Sequence, residues 1–238
     1  MRPEVLVAGL ARTPIAAIDG AERWAATGRY QHHVADLADP GATAVLEQMA
    51  RTIPAGPIRL VFNAAFLERD VDESGRIDFE RFEVTNRVNI DGFGRTIRAF
   101  QDLLLRDGGL LVGVSSINAV KPPFLEPRVA YGATKAYMSM ALRNLALAWP
   151  RRVRLMEARL GHIGTDPAAG GLLPKFVPTY HTTARALLAQ ASRTHPPLLW
   201  TYPFVYCLAY NYLLRLVPDK LLLHLRRGRT SGGAGGLS

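Results

Sequence analysis

The sequence predicts an α/β fold: a doubly wound parallel sheet of about six strands in a single domain. Three observations carry that prediction. Short runs rich in Val, Leu and Ile alternate with amphipathic helical stretches from Glu4 to Tyr202. Strands that alternate with helices are joined by right-handed crossovers, which set neighbouring strands parallel. Gly9, Asp36, Asn63, Ser116 and Gly161 all fall at strand ends on one edge, where ligands meet such sheets.

In chain order, Glu4 to Ala8 reads as a short buried strand followed at once by Gly9, and Tyr30 to Leu37 as a second strand that includes Asp36. Asp39-Pro40 matches an N-cap with proline at the first helical position, opening a helix that continues to about Arg51. Ile58 to Asn63 is a strand, and Ala64-Ala65 carry it into a loop. Leu67 to Arg76 is dense in charge and reads as a solvated surface loop. From Asp78 to Leu105, the residues Phe82, Thr85, Asn89, Phe93, Ile97, Phe100 and Leu104 recur at helical spacing and mark one long helix. Asn89 interrupts that apolar face. A buried amide needs partners, so it is either the hub of a structural network or the holder of a water relay.

Gly108-Gly109 stop the helix, and Leu110 to Ser116 forms the next strand. A helix bearing Tyr131 and Lys135 runs to about Trp149, where Pro150 helps to end it. Arg152 to Arg159 is another strand, alternating Val153, Leu155 and Glu157 against charge. Gly161 to Tyr180 is loose and rich in Gly and Pro; Thr182 or Thr183 then caps a helix through Ser192, and Leu198 to Tyr202 is the last strand.

Composition bounds the function. The chain has 238 residues, 48% of them hydrophobic, which suits one large core rather than a disordered chain. The single cysteine, Cys207, excludes an internal disulfide, reads as a small buried hydrophobe and points to a reducing compartment, the cytoplasm. No Cys/His cluster has zinc spacing, and adjacent His32 and His33 point to opposite faces of a strand, so no metal site is predicted. Met1 to Gly9 is too short for a signal peptide and carries Glu4. A net charge of +9 suits an anionic partner: nucleic acid, lipid or a phosphorylated cofactor. The arginines are dispersed and no nucleic-acid-binding signature is present, so a nucleic-acid partner is not expected.

Tyr131 and Lys135 stand four residues apart on one helix face. An ammonium beside a phenol favours the phenolate, and such a tyrosine can donate or accept a proton beside a carbonyl or alcohol. A strand serine before the pair and Asn89 beside it raise the pair above chance spacing.

Together these residues make the chain similar to the short-chain dehydrogenase/reductase family, whose fold is Rossmann-like. The resemblance runs from Glu4 to about Tyr202. Tyr131 and Lys135 match the family's Tyr-x-x-x-Lys, Ser116 the serine that precedes it, and Asn89 in Val-Asn-Ile-Asp-Gly the helix asparagine of the tetrad. Ser115 is the less suitable serine, since adjacent strand residues point oppositely. Asn63-Ala-Ala matches the Asn-Ala-Gly turn, Asp36 the acid that contacts adenine, and Gly161 with Thr165 the segment that cradles the nicotinamide. The resemblance implies an NAD(P)-dependent oxidoreductase that interconverts an alcohol and a carbonyl by hydride transfer. Tyr131 would be general acid and base. Lys135 would lower its pKa and hold a ribose hydroxyl, Ser116 would bind the substrate oxygen, and Asn89 would hold the relaying water.

Two departures stand out. The family's glycine-rich turn reads here Ala8-Gly9-Leu-Ala-Arg12-Thr13-Pro14-Ile15; only Gly9 survives, and Pro14 lacks an N–H donor. The span from Gly9 to Asp36 is also too short by a strand, or a strand with most of a helix. Arg12 stands where NADP-preferring relatives often carry a basic residue, which tilts the expectation from NAD towards NADP. The same departures support a second reading, a non-catalytic relative that binds or scaffolds, with impaired dinucleotide binding.

An apolar, hinged cover from Asp166 to Tyr180 predicts a hydrophobic small-molecule substrate. The domain is expected over 1–203, an amphipathic helical extension over 204–230, and a Gly-rich disordered tail over 231–238. Val205 to Leu225, with Arg215, Lys220, Arg226, Arg227 and Arg229 around it, reads as a helix pair packing on the domain or on a second subunit of a homo-oligomer, dimer or tetramer. The alternative is a peripheral anchor on an anionic membrane surface.

Overall fold

The computed structural model describes residues 5–18, 20–121, 128–164, 177–203, 216 and 218; among these, six strands alternate with helices. Strand β1 (Val7–Ala11) leads through α1 (Ala21–Ala26) to β2 (Tyr30–Val34), followed by α2 (Ala42–Thr52) and β3 (Ile58–Phe62). Helix α3 (Phe79–Asn86) passes through one π-type turn (Arg87–Asp91) into α4 (Gly92–Asp107). Then come β4 (Gly109–Ser116), a short 3-10 turn (Ile117–Ala119), α5 (Val129–Ala148), β5 (Val153–Leu160), α6 (Tyr180–Ala191) and β6 (Leu199–Tyr202).

Every strand pair is parallel, as the alternating pattern predicts. The hydrogen bonds divide the strands into two ladders, β1-β2 and β3-β4-β5-β6. Among the described residues, the connection from Arg12 to Arg29 holds a 3-10 turn and one short helix, which return β2 beside β1. That is the shortened unit read from the sequence. Leu10 and Ala35 tie this part to the main core, whereas Val7 in β1 and Val61 in β3 stay exposed.

All eight residues of β4 are buried. On one face Leu111 joins Met138 and Leu142 of α5, with Phe93, Phe100 and Leu104 of α4. On the other, Leu110, Val112 and Val114 meet Met156, Ala158 and Ala191. A strand covered on both faces needs a continuous apolar run, which is what Leu110 to Val114 supplies.

Several boundaries differ from the sequence reading. The first strand begins at Val7, where it pairs with β2, so Gly9 lies inside the strand opposite His32 and not at its end. Ladder partners set strand ends, and no local pattern announces them. Asp39 does not cap α2: its Oδ1 accepts the Gly41 N–H at 2.7 Å in a turn, and the helix opens at Ala42. Thr179, rather than Thr182 or Thr183, caps α6, its Oγ1 accepting the Thr182 N–H at 3.2 Å. The predicted helix over 78–105 extends to Asp107 and is interrupted by the π-type turn around Asn89. In β5, Glu157 and Arg159 are both buried, so alternation against charge does not hold there; they form an ion pair at 2.8 Å beneath α5.

No helix among the described residues is long and apolar enough to cross a membrane. The extension over 204–230 lies outside the described residues apart from Leu216 and Pro218, and so do Cys207, the Gly-rich tail and most of the predicted cover.

Candidate active site

Because β4 and β5 are parallel, Ser116 and Leu160 pair at their carboxyl ends and Gly161 follows at the same edge. The Gly161 N–H donates to the Tyr202 carbonyl at 2.8 Å, fixing the ends of β5 and β6 together. Helix α5 returns beneath this edge with Tyr131 in its first turn. Gly132 permits the approach: a Cβ there would stand 3.3 Å from the Asn118 carbonyl oxygen of the turn after β4.

The Tyr131 phenol lies beside the Ser116 hydroxyl, which acts to lower its pKa. Ser116 also accepts the Asn118 N–H at 3.2 Å, while Ser115 turns towards α5 and donates to the Lys135 carbonyl at 3.4 Å. The two serines therefore serve opposite faces, and Ser116 is the one beside the phenol. Burial raises the Tyr131 pKa above its ordinary value; the Ser116 hydroxyl and the charge of Arg128 act the other way without cancelling it.

Lys135 corrects the sequence reading. It was expected to lower the Tyr131 pKa, yet the phenol is raised. The Lys135 side chain is buried, its Nζ donates to the Val114 carbonyl at 2.8 Å, and it stands 5.7 Å from the centroid of the Tyr131 ring. Burial pushes the Lys135 ammonium down to about 8. Loss of water penalises the charged form of either residue, so an acid rises and a base falls.

Asn89 sits in the π-type turn with no exposure. Its Oδ1 accepts the Phe66 N–H at 2.8 Å, and its Nδ2 donates to the Phe66 carbonyl at 3.2 Å and to Thr134 Oγ1 at 3.0 Å. Thr134 passes the link on, donating to the Tyr131 carbonyl at 2.9 Å. Of the two roles open to this amide, the structure displays the network: both donors are engaged, and they join the loop after β3 to the helix of Tyr131. Thr134 escaped the sequence reading, although it stands inside the Tyr-x-x-x-Lys stretch.

Two further sequence-predicted residues, Asn63 and Asp36, follow the carboxyl ends of strands. Asn63 is exposed directly after β3. Asp36 accepts the Ala38 N–H at 2.8 Å, and its other oxygen lies 3.9 Å from the guanidinium of Arg12, both side chains partly in water. Thr165 lies outside the described residues, but Gly164 bridges Thr179, and its N–H donates to the Pro178 carbonyl at 3.1 Å. The chain just before the predicted cover therefore meets its far end. A shallow groove of about 410 Å³ beside α5 is lined by Val120, Val129, Ala133 and Ala136, with Lys121 and Arg128 among its polar members. Among the described residues no three His, Cys, Asp or Glu side chains converge as metal ligands.

The fit of a dinucleotide differs at its two ends. Near Tyr131, Ser116 and Lys135 supply a hydroxyl and an ammonium beside a titratable phenol, donors suited to a ribose and a carbonyl oxygen. At the turn after β1 the fit is of another kind. A Cβ on Gly9 would stand 2.6 Å from Tyr30 Oη, so the bare backbone accommodates Tyr30. The phenol of Tyr30 bonds His32 Nδ1 at 2.9 Å, and His32 Nε2 bonds the Thr13 carbonyl at 2.9 Å. These contacts staple the turn to β2. Only the three residues Ile15–Ala17 turn helically before α1.

A family model described as short chain dehydrogenase matches residues 5–170. No curated protein matches the chain. Among solved structures, a short-chain dehydrogenase from Streptomyces avermitilis is 19% identical with a TM-score of 0.71, covering 97% of this chain and 89% of its own. One from Burkholderia cenocepacia in complex with NADP is 22% identical with a TM-score of 0.67, covering 93% of this chain and 85% of its own. One from Sphingobium yanoikuyae in complex with NADPH is 19% identical with a TM-score of 0.68, covering 97% of this chain and 88% of its own. At these identities the likeness speaks for the fold.

Proposed function

The chain belongs to the short-chain dehydrogenase family, a family of NAD(P)-dependent oxidoreductases, and from that premise we propose that it interconverts an alcohol and a carbonyl with Tyr131 as general acid and base. The observation that carries this reading is the placing of the Tyr131 phenol beside Ser116 at the carboxyl end of β4, with Lys135 against the same ring.

The cofactor, when bound, supplies or accepts the hydride. The rest falls to the chain. In reduction, Ser116 donates a hydrogen bond to the carbonyl oxygen and the Tyr131 hydroxyl delivers its proton there; in oxidation, the phenolate takes a proton from the alcohol. The phenol is protonated near neutral pH, as the acid role requires, while its burial disfavours the phenolate that oxidation needs. Lys135 has three N–H groups and gives one to Val114, leaving two for ribose hydroxyls. Asn89 contributes by holding the Tyr131 helix to the loop after β3.

Asp36 and Arg12 would meet the adenosine end, and Gly9, Asn63, Gly161 and Thr165 would border the rest of the crevice. Arg12 favours NADP: its exposed contact with Asp36 is long, and a 2′-phosphate would compete for it. The apolar groove beside α5 supports a hydrophobic substrate. A homo-oligomer is supported by apolar surface on α5, where Tyr137, Met140 and Leu147 are exposed.

The occupied space over Gly9 favours a second reading, a binding or scaffold protein that has lost ordinary dinucleotide affinity. Titrating NADH and NADPH into the purified chain, followed by thermal shift, separates the two. Stabilisation by either supports the enzyme, with NADPH expected to be the stronger. No stabilisation at millimolar cofactor moves the assignment to the scaffold.

A further inference from the structure

Asp70 lies in the segment whose charge marks it as solvated surface, yet it is only 1% exposed. Its two oxygens accept the backbone N–H groups of Val129 at 2.8 Å and Ala130 at 2.7 Å, the first two residues of α5. The first four N–H groups of a helix have no partner within it. Here the residue at the N-cap is Arg128, and it provides no side-chain cap. The cap comes instead from Asp70, far upstream in the chain. Tyr131 is the next residue of the helix.

The loop that presents Asp70 is built to do so. The Asp78 N–H donates to the Asp70 carbonyl at 3.0 Å, and Val71 forms an antiparallel bridge with Ile77. Asp72 closes the tip by accepting from Ser74 Oγ at 2.7 Å and from the Arg76 N–H at 2.9 Å. Arg81 of α3 reaches back to the Arg69 carbonyl at 3.2 Å. The carboxylate is therefore braced from the start of α3, a helix that packs along α5.

We propose that Asp70 is a positioning residue for Tyr131, fixing the first turn of α5 against Ser116 and offsetting the positive end of that helix so that the phenol stays protonated. The proposal rests on the general acid/base reading of Tyr131. A helix N-terminus favours a nearby anion, the phenolate included, and a carboxylate seated on its first amides opposes that tendency. The other groups acting on Tyr131 are Ser116 from β4, Arg128 at the N-cap of α5 and Lys135 within that helix. Arg128 favours the phenolate; Asp70 places a carboxylate on the first amides of the same helix.

Fluorotyrosine-labelled protein, followed by fluorine NMR across pH and assigned with Tyr131→Phe, reads the phenol directly and needs no substrate. In Asp70→Asn, which removes the charge at nearly constant shape, the Tyr131 midpoint should fall by about half a unit or more. Asp70→Glu, which keeps the charge, should restore most of that difference. Asp70→Ser supplies the same neutral test should the Asn variant not fold. A merely structural cap would lower the melting temperature and leave the midpoint unmoved. An unmoved midpoint in a folded neutral variant overturns the proposal. The titration involves no cofactor, so its failure is distinct from failure of the enzyme reading, which shows as absent NADH and NADPH binding by the unmutated chain.

Discussion

Lys135 stands over the ring of Tyr131, its Nζ 5.7 Å from the centroid, and donates to the Val114 carbonyl at 2.8 Å. A cation at that distance from an aromatic face is attracted by the ring quadrupole, the more so when water is excluded. The pair is thus joined through the ring and through shared burial. Burial raises the phenol above 10.0 and lowers the ammonium from 10.5 to about 8, which reverses their ordinary order and widens the gap between them.

Tyr131→Phe keeps the ring and removes the hydroxyl. Steady-state rates of NADPH oxidation with a panel of carbonyl compounds should fall by about a hundredfold or more, the usual worth of a general acid. Thermal unfolding and NADPH affinity should change little. Near-wild-type turnover would remove Tyr131 from the role.

Lys135 predicts a pH dependence of stability. Its folded pKa of about 8 lies below the ordinary 10.5. Between those values the unfolded chain binds more protons, so stability rises with pH; below about 8 the cost of the buried charge is fully present. Tyr131 acts in the opposite sense above its ordinary 10.0, where the unfolded chain ionises first and stability falls. Urea unfolding from neutral to alkaline pH should show the rise, on the order of 3 kcal/mol in full. Lys135→Met should flatten it. A rise that persists in the Met variant assigns it to another group.

Glu157 and Arg159 are buried and 2.8 Å apart, with Ser139 donating to Glu157 at 2.8 Å. Glu157→Gln removes one charge of this buried ion pair and should destabilise the fold by about 3 kcal/mol in urea unfolding. A loss well under about 1 kcal/mol would mean that other partners neutralise Arg159.

Two glycines should respond with opposite sign. At Gly109, φ is +135° and a Cβ would stand 2.1 Å from the Ile58 carbonyl oxygen, in the ladder between β3 and β4. Gly109→Ala should therefore cost about 3 kcal/mol or more. Gly94, inside α4, has open space where its Cβ would be. Gly94→Ala should stabilise by roughly 1 kcal/mol through helix propensity. Thermal unfolding of both variants checks the pair.

The parts of the site legible in the sequence share one property: each is a local pattern. Tyr131 and Lys135 declare themselves by helical spacing, and Ser116 by its place at the end of an apolar run. Asn89 is an amide on an apolar face, which announces a network without naming its partners. Gly9 misled for the same reason. An apolar run beside a glycine looks like a strand ending there, whereas pairing with β2 carries the strand on to Ala11.

Asp70 shows where local patterns stop. Beside Arg69, Asp72 and Glu73 it is one charge among several, and nothing nearby tells which carboxylate is buried. The one available signal lay elsewhere, in a helix opening Arg128-Val-Ala with no capping side chain.

By itself the sequence determined the order of strands and helices and their parallel pairing, because periodicity and spacing act over a few residues; its resemblance to the family is what singles out Tyr131, Lys135, Ser116 and Asn89 as the proposed set. Only the tertiary structure decided that the strands form two ladders, that Tyr30 fills the space over Gly9, that Asp70 caps α5, and that Tyr131 is raised while Lys135 is lowered. Burial and helix capping depend on segments distant in the chain, and exclusion of water sets the energy of a charge.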